Sequence, residues 1–122
     1  MGRIESHRDL VVWQKAMDLA VNVYELCSSF PPDERFRLTS QITRAASSVP
    51  ANIAEGHARA SRKDYANFLA IVKGSLMETE TFLTLAVRLQ YLSSVQAAKA
   101  QQLITEISKM ITAIRSKLAG KG

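Results

Sequence analysis

Gln41, Arg44, Ser48, Asn52 and Glu55 recur at steps of three or four residues between Thr39 and Gly56. Further along, Ser75 and Glu78 interrupt the otherwise apolar series Phe68, Ile71, Ser75, Glu78, Phe82, Leu85, Leu89 and Leu92. Two carboxylates beside a guanidinium, two amides and two hydroxyls are the materials of acid–base catalysis, of a metal site or of an internal polar network. An acid in an apolar seam needs a donor, because burying a lone carboxylate costs several kcal/mol. Arg44 is the candidate, since its planar fork matches a carboxylate and keeps its charge when buried. Gln41, Arg44, Ser48, Asn52, Glu55, Ser75 and Glu78 are therefore read as a buried polar network that fixes helix register or subunit packing, with a ligand pocket as the alternative. Removing Arg44 or Glu78 alone is expected to cost about 3–5 kcal/mol.

Other catalytic chemistry finds few residues to use. A di-iron bundle needs Glu-x-x-His pairs from facing helices, and neither His7 nor His57 stands three residues after a Glu. Cys27 falls on an apolar seam and is read as a small core residue. Gly74 is isolated inside a helical pattern, so no Gly-rich phosphate loop is present. No catalytic residue, cofactor or metal ligand is assigned, and the chain is expected not to be an enzyme.

The elements that position these residues are helices. Pro31-Pro32, Gly56 with Ser61, and Ser93-Ser94 punctuate the chain into four segments. Ser61 with Asp64 and Ser93 with Gln96 have capping-box spacing or close to it, and Asp33 and Glu34 behind Pro31-Pro32 place acids in a first turn. The spacing predicts helices over about 8–29, 33–57, 62–91 and 94–118. With no two-residue alternation and no internal repeat, residues 1–122 read as one all-α domain, an up-down-up-down four-helix bundle.

The first helix carries two apolar seams: Leu10, Trp13, Met17, Ala20, Tyr24 and Cys27, and Val12, Ala16, Leu19, Val23, Leu26 and Phe30. Their centres lie about 100° apart, which asks for a second buried surface besides the bundle core. The second helix has an apolar strip of Leu38, Ile42, Ala45, Val49 and Ile53 beside the polar one. Its third face, Ser40, Thr43, Ser47, Ala51 and Ala54, is small enough for another helix to approach closely. Pro50 removes one backbone donor and frees the Ala46 carbonyl, at a cost of about 3 kcal/mol in a helix interior. One helix bent near Pro50 is expected, with Ser47 and Ser48 re-satisfying the freed group. Leu103, Ile104, Ile107, Met110, Ile111, Ile114 and Leu118 give the fourth helix a single stripe that closes the core.

Composition bounds the partners. Sixteen Lys and Arg against eleven Asp and Glu leave a formal charge of +5, which favours acidic partners. The single cysteine excludes an intramolecular disulfide and suits a reducing, cytoplasmic compartment. Ile4 is followed at once by Glu5, Ser6, His7, Arg8 and Asp9, so no secretory leader is read, and no apolar run is long enough for a membrane span. In an up-down-up-down bundle the N-terminus, the second interhelical loop and the C-terminus share one end. Arg3, Arg8, Arg59, Arg62, Lys63, Arg115, Lys117 and Lys121 gather there, half of the sixteen cationic residues. Such an end can hold a phosphate backbone with steep salt dependence and little base specificity.

The motifs also carry a resemblance. Leu10-Val11-Val12-Trp13-Gln14-Lys15-Ala16, Phe30-Pro31 with Glu34, Leu38-Thr39-Ser40-Gln41, Arg44-Ala45-Ala46 with Ser48, Asn52-Ile53-Ala54-Glu55-Gly56, and Gly74-Ser75 with Glu78 and Glu80 resemble the signature of the four-helix bundle protein family. That family is also called the S23 ribosomal or 23S rRNA intervening-sequence protein family. The match spans about Asp9 to Tyr91; Arg37 and Thr79 depart from the residues that members tend to carry, Gly and Leu. The ribosomal name reflects reading frames inside insertions in 23S rRNA genes and does not make the chain a ribosome component. The resemblance implies a homopentameric barrel, similar to the accessory variability protein of diversity-generating retroelements, a basic pentamer that binds nucleic acid and a reverse transcriptase.

The expected function is thus a non-enzymatic, oligomeric nucleic-acid-binding or adaptor protein, with RNA or DNA as ligand and a protein such as a reverse transcriptase as a further partner. The alternative is a structural or regulatory scaffold that binds protein alone.

Overall fold

The computed structural model describes residues 4–120, which form four α-helices and no strand. They are α1 (Val11–Leu26), α2 (Leu38–His57), α3 (Arg62–Arg88) and α4 (Ser94–Leu118), with 3-10 turns at His7–Asp9, Cys27–Ser29 and Pro32–Glu34. Each helix packs on its chain neighbours and α4 closes back on α1, with α2 and α3 the most extensively joined. Bonds between the helices fix their directions. Tyr91 beyond the end of α3 reaches Glu34 before the start of α2, while Arg62 at the start of α3 reaches the Leu118 carbonyl at the end of α4. The result is the up-down-up-down four-helix bundle that the punctuation predicts. At 27 residues α3 is the longest element, about 40 Å from end to end.

The helix boundaries correct the expected ones at four places, the simplest being the end of α1, which stops at Leu26 and passes into the 3-10 turn Cys27–Ser29. The first helix does not run unbroken from residue 8: Leu10 is extended (φ −77°, ψ 124°) between the 3-10 turn and α1. The cause is a separate capping box, in which Ser6 Oγ accepts from the Arg8 N–H and the Asp9 carboxylate accepts from the Glu5 and Ser6 N–H groups. The second helix begins at Leu38 rather than near 33, because the Pro31-Pro32 pair drives a 3-10 turn whose Glu34 carboxylate then accepts from the Leu38 N–H. The third helix stops at Arg88. Gln90 takes a left-handed conformation (φ 65°), with its N–H on the Val87 carbonyl and the Tyr91 N–H on that of Ala86, a Schellman turn. At the start of α4, Ser93 and Gln96 form the full reciprocal box, whereas Ser61 caps α3 through the Asp64 N–H.

The core is aliphatic. Leu19 and Val23 from α1, Ile42, Val49 and Ile53 from α2, Leu69, Val72, Leu76 and Leu83 from α3, and Ile104, Ile107 and Ile111 from α4 are fully buried. Each contributes about 1.5–3 kcal/mol by leaving water. On α1 the seam of Val12, Ala16, Leu19 and Val23 is buried, while Met17 and Tyr24 of the other seam remain exposed. On α3 the core strip is Leu69, Val72, Leu76, Leu83 and Ala86, one position round the helix from the series centred on Phe68, Phe82 and Leu85.

α2 runs through Pro50 without interruption. Ser47 and Ser48 do not re-satisfy Ala46: their hydroxyls donate to the carbonyls of Arg44 and Ala45. A serine hydroxyl reaches back three or four residues, so neither serine can serve a carbonyl one or two positions behind it. Gly56 is buried where α2 meets α3, and a Cβ there would stand 2.7 Å from Phe68 Cβ. The helices approach this closely only because position 56 has no side chain. Thr79, fully buried on α3, satisfies its hydroxyl on the Ser75 carbonyl at 2.8 Å.

Candidate nucleic-acid interface

The antiparallel pairing of α3 and α4 brings the start of one against the end of the other. Between them lies an open cleft of about 630 Å³ lined by Arg62, Lys63, Ala66, Thr112, Arg115, Ser116, Leu118 and Ala119. Arg62 is committed to the fold, donating from Nη2 to the Lys117 carbonyl at 2.7 Å and from Nε to the Leu118 carbonyl at 3.2 Å. These carbonyls belong to the last turn of α4, where intrahelical donors run out; that of Lys117 also accepts from the Gly120 N–H at 3.0 Å. Lys63 and Arg115 are exposed on opposite walls of the cleft. Lys73, three turns along α3 from Arg62, donates to Thr112 Oγ1 at 2.9 Å and adds a cation that the reading of the chain ends passed over. Its signal was periodicity, since 62, 66, 69 and 73 share one helical face.

The remaining basic positions are dispersed. Arg59 pairs with Glu55 at 2.8 Å and stacks its guanidinium 4.7 Å from the Phe68 ring centre. Lys117 is exposed on the last turn of α4, and its carbonyl rather than its ammonium meets Arg62. Arg8 is exposed on the first 3-10 turn, where its carbonyl accepts from Gln14 Nε2. Arg3 and Lys121 lie outside the described residues.

The polar strip of α2 opens onto a second cleft, about 260 Å³, lined by Gln41, Arg44, Ala45, Ser48, Glu78 and Phe82. Here the expected buried network is corrected. Gln41, Arg44, Glu55 and Glu78 are exposed, and none of the ion pairs among the described residues joins Arg44 to Glu78. The one-position rotation of the α3 core strip turns Glu78 out to solvent and leaves Ser75 as the buried polar member of its series. What remains internal is short: Ser48 Oγ bonds Ser75 Oγ, and Asn52 Nδ2 donates to the Ser48 carbonyl at 2.8 Å.

At the opposite end of the bundle is a polar connection that sequence reasoning missed. Glu34 is buried and its carboxylate accepts from the Tyr91 hydroxyl at 2.7 Å and the Leu38 N–H at 3.3 Å, with Arg37 3.8 Å away. The Tyr91 hydrogen bond, then that of Leu38, hold the Glu34 carboxyl below its ordinary value, and the same carboxylate raises the Tyr91 phenol. Cys27 is half-buried, and burial pushes its thiol up to about 11, far from the thiolate a nucleophile needs. Among the described residues no three His, Cys, Asp or Glu side chains gather as a metal site would require, and no helix is long and apolar enough to cross a membrane.

The sequence model described as 23S rRNA-intervening sequence protein matches residues 8–113. A solved structure from Bacteroides thetaiotaomicron, described as a protein with unknown function from the S23 ribosomal protein family, is 31% identical with a TM-score of 0.77, covering 86% of this chain and 98% of that one. No curated protein matches the chain.

Proposed function

The chain belongs to the 23S rRNA-intervening sequence protein family, and from that premise we propose that it is a non-enzymatic, oligomeric nucleic-acid-binding or adaptor protein of the cytoplasm. The observation that carries the reading is the cleft where Lys63 and Arg115 face each other beside Lys73. Cations on a shared surface attract phosphates, release counterions and bind with little regard to sequence. The assembly is proposed as a homopentamer, which repeats the cleft around a ring, and a reverse transcriptase is the kind of protein partner such a ring would serve.

Filter binding of RNA and DNA across a salt series tests this. Affinity should fall steeply with salt, and Lys63→Glu with Arg115→Glu should abolish binding while the oligomer and its melting stay unchanged. Absence of binding even at low salt overturns the reading. A protein-only scaffold is favoured by a different observation, the apolar groove of about 380 Å³ in which Trp13, Met17 and Ala20 of α1 face Ser47, Ala51 and Ala54 of α2. That second reading gains if the groove captures protein and the basic cleft holds no nucleic acid.

A further inference from the structure

We propose that the cleft between the start of α3 and the end of α4 is a terminal-phosphate site, taking the phosphomonoester end of a nucleic-acid strand in preference to an internal phosphodiester. The inference rests on the reading of the basic end as a nucleic-acid surface and specifies what that surface recognises.

Arg62 is a positioning residue here. Both of its bonds go to the carbonyls of Lys117 and Leu118, pinning α4 against α3 and setting the width of the cleft. The groups left to meet a ligand are Lys63 on the α3 wall and Arg115 on the α4 wall, neither of which is in an ion pair among the described residues. Thr112 and Ser116 stand one turn apart on α4 and present two hydroxyls to the same space. Thr112 Oγ1 already accepts from Lys73 Nζ, which orients its own proton outward and adds a third cation at the edge.

A terminal phosphate carries about −1.5 to −2 charges at pH 7 and three acceptor oxygens. An internal phosphodiester carries one charge, and its strand must both enter and leave the site. Two cations and two hydroxyls line this one recess, with Lys73 held at its edge by Thr112, a set that matches the dianion, and a recess between two helix ends admits the end of a strand. The floor of Ala66, Leu118 and Ala119 is apolar and offers no base-specific donor, so the preference falls on the phosphate rather than on sequence.

Fluorescence anisotropy with one short single-stranded RNA, prepared with a 5′-phosphate, with a 3′-phosphate and with hydroxyls at both ends, tests the proposal at low salt. A phosphorylated form should bind about tenfold tighter than the hydroxyl form, the effect of roughly one further unit charge facing a cation about 4 Å away in wet surroundings. A gain at either end supports the site and tells which end it takes. Lys63→Gln and Arg115→Gln, both at exposed positions and checked for unchanged melting, should erase the difference. Equal binding of phosphorylated and hydroxyl forms, or a difference that survives both substitutions, overturns the terminal-phosphate site and leaves the nucleic-acid reading standing. Failure of every RNA to bind overturns both.

Discussion

Glu34 gathers three partners on one carboxylate, and through them it joins the loop before α2 to the residue just beyond α3. The Tyr91 and Leu38 hydrogen bonds favour the ionised form and depress its pKa in the folded state. A depressed folded pKa contributes stability that is fully present above the unfolded glutamate value of about 4.3. That stability is lost as pH falls through the lower folded value. Melting temperature should therefore decline on acidification across and below that range, and Glu34→Gln should melt lower near neutral pH with a flatter acid limb. An acid limb identical to that of the parent chain would show that Glu34 is not the titrating group. At Arg44 the structure reverses the sequence expectation. With Arg44 and Glu78 both in water and unpaired with each other, Arg44→Ala should change stability by no more than about 0.5 kcal/mol in a denaturant melt, in place of the larger cost of stranding a buried charge.

The ends of helices show which local signals suffice. Ser93 and Gln96 cap α4 where their spacing places them, because both partners lie within one turn and need nothing from the rest of the fold. The start of α2 is different: its capping group, Glu34, is positioned by a 3-10 turn and by Tyr91 from the far side of the bundle, so the acids behind Pro32 read as a first helical turn when they are a preceding one. The end of α3 depends on Gln90 at φ 65°, a conformation that costs a side-chain-bearing residue about 1–2 kcal/mol. Gln90→Gly should raise stability by about 1 kcal/mol, read as a higher urea midpoint at unchanged slope, because the Schellman turn keeps its bonds and loses its strain. A lower midpoint would mean that the Gln90 side chain itself supports the turn.

Across the whole molecule, apolar surface is left over. Val11, Met17, Val21 and Tyr24 on α1, Ile71, Met77 and Leu85 on α3 and Leu89 just beyond its end are exposed large apolar side chains. α1 and α3 do not pack on each other, so these are two separate apolar surfaces, of the kind that the proposed assembly would cover. The second α1 seam, predicted from spacing alone, lies beside the small-residue face of α2 as one wall of an open groove. Light scattering should give about five times the 13.5 kDa chain mass if the proposed pentamer forms. A single chain mass at micromolar concentration refutes the assembly.

By itself the sequence determined the helix count, the order of the helices and the aliphatic residues of α2 and α4 that fill the core. These follow from 3.6-residue periodicity, proline and glycine punctuation and local caps, all of which act within a few residues. The tertiary structure alone decided which of two neighbouring strips on α3 faces inward. Both strips are apolar enough to be buried, and a helix settles the choice only by packing against its neighbours. That rotation moved Glu78 from the core to solvent, left Ser48 and Ser75 as the internal remnant of the polar line, and set Lys73, Thr112 and Ser116 beside Lys63 and Arg115. That Arg62, Lys63 and Arg115 share one end was legible from topology, but which of them is spent on the fold was not. That partition depends on carbonyls at the end of α4, about fifty-five residues away from Arg62 in the chain and in contact with it only once the bundle has closed.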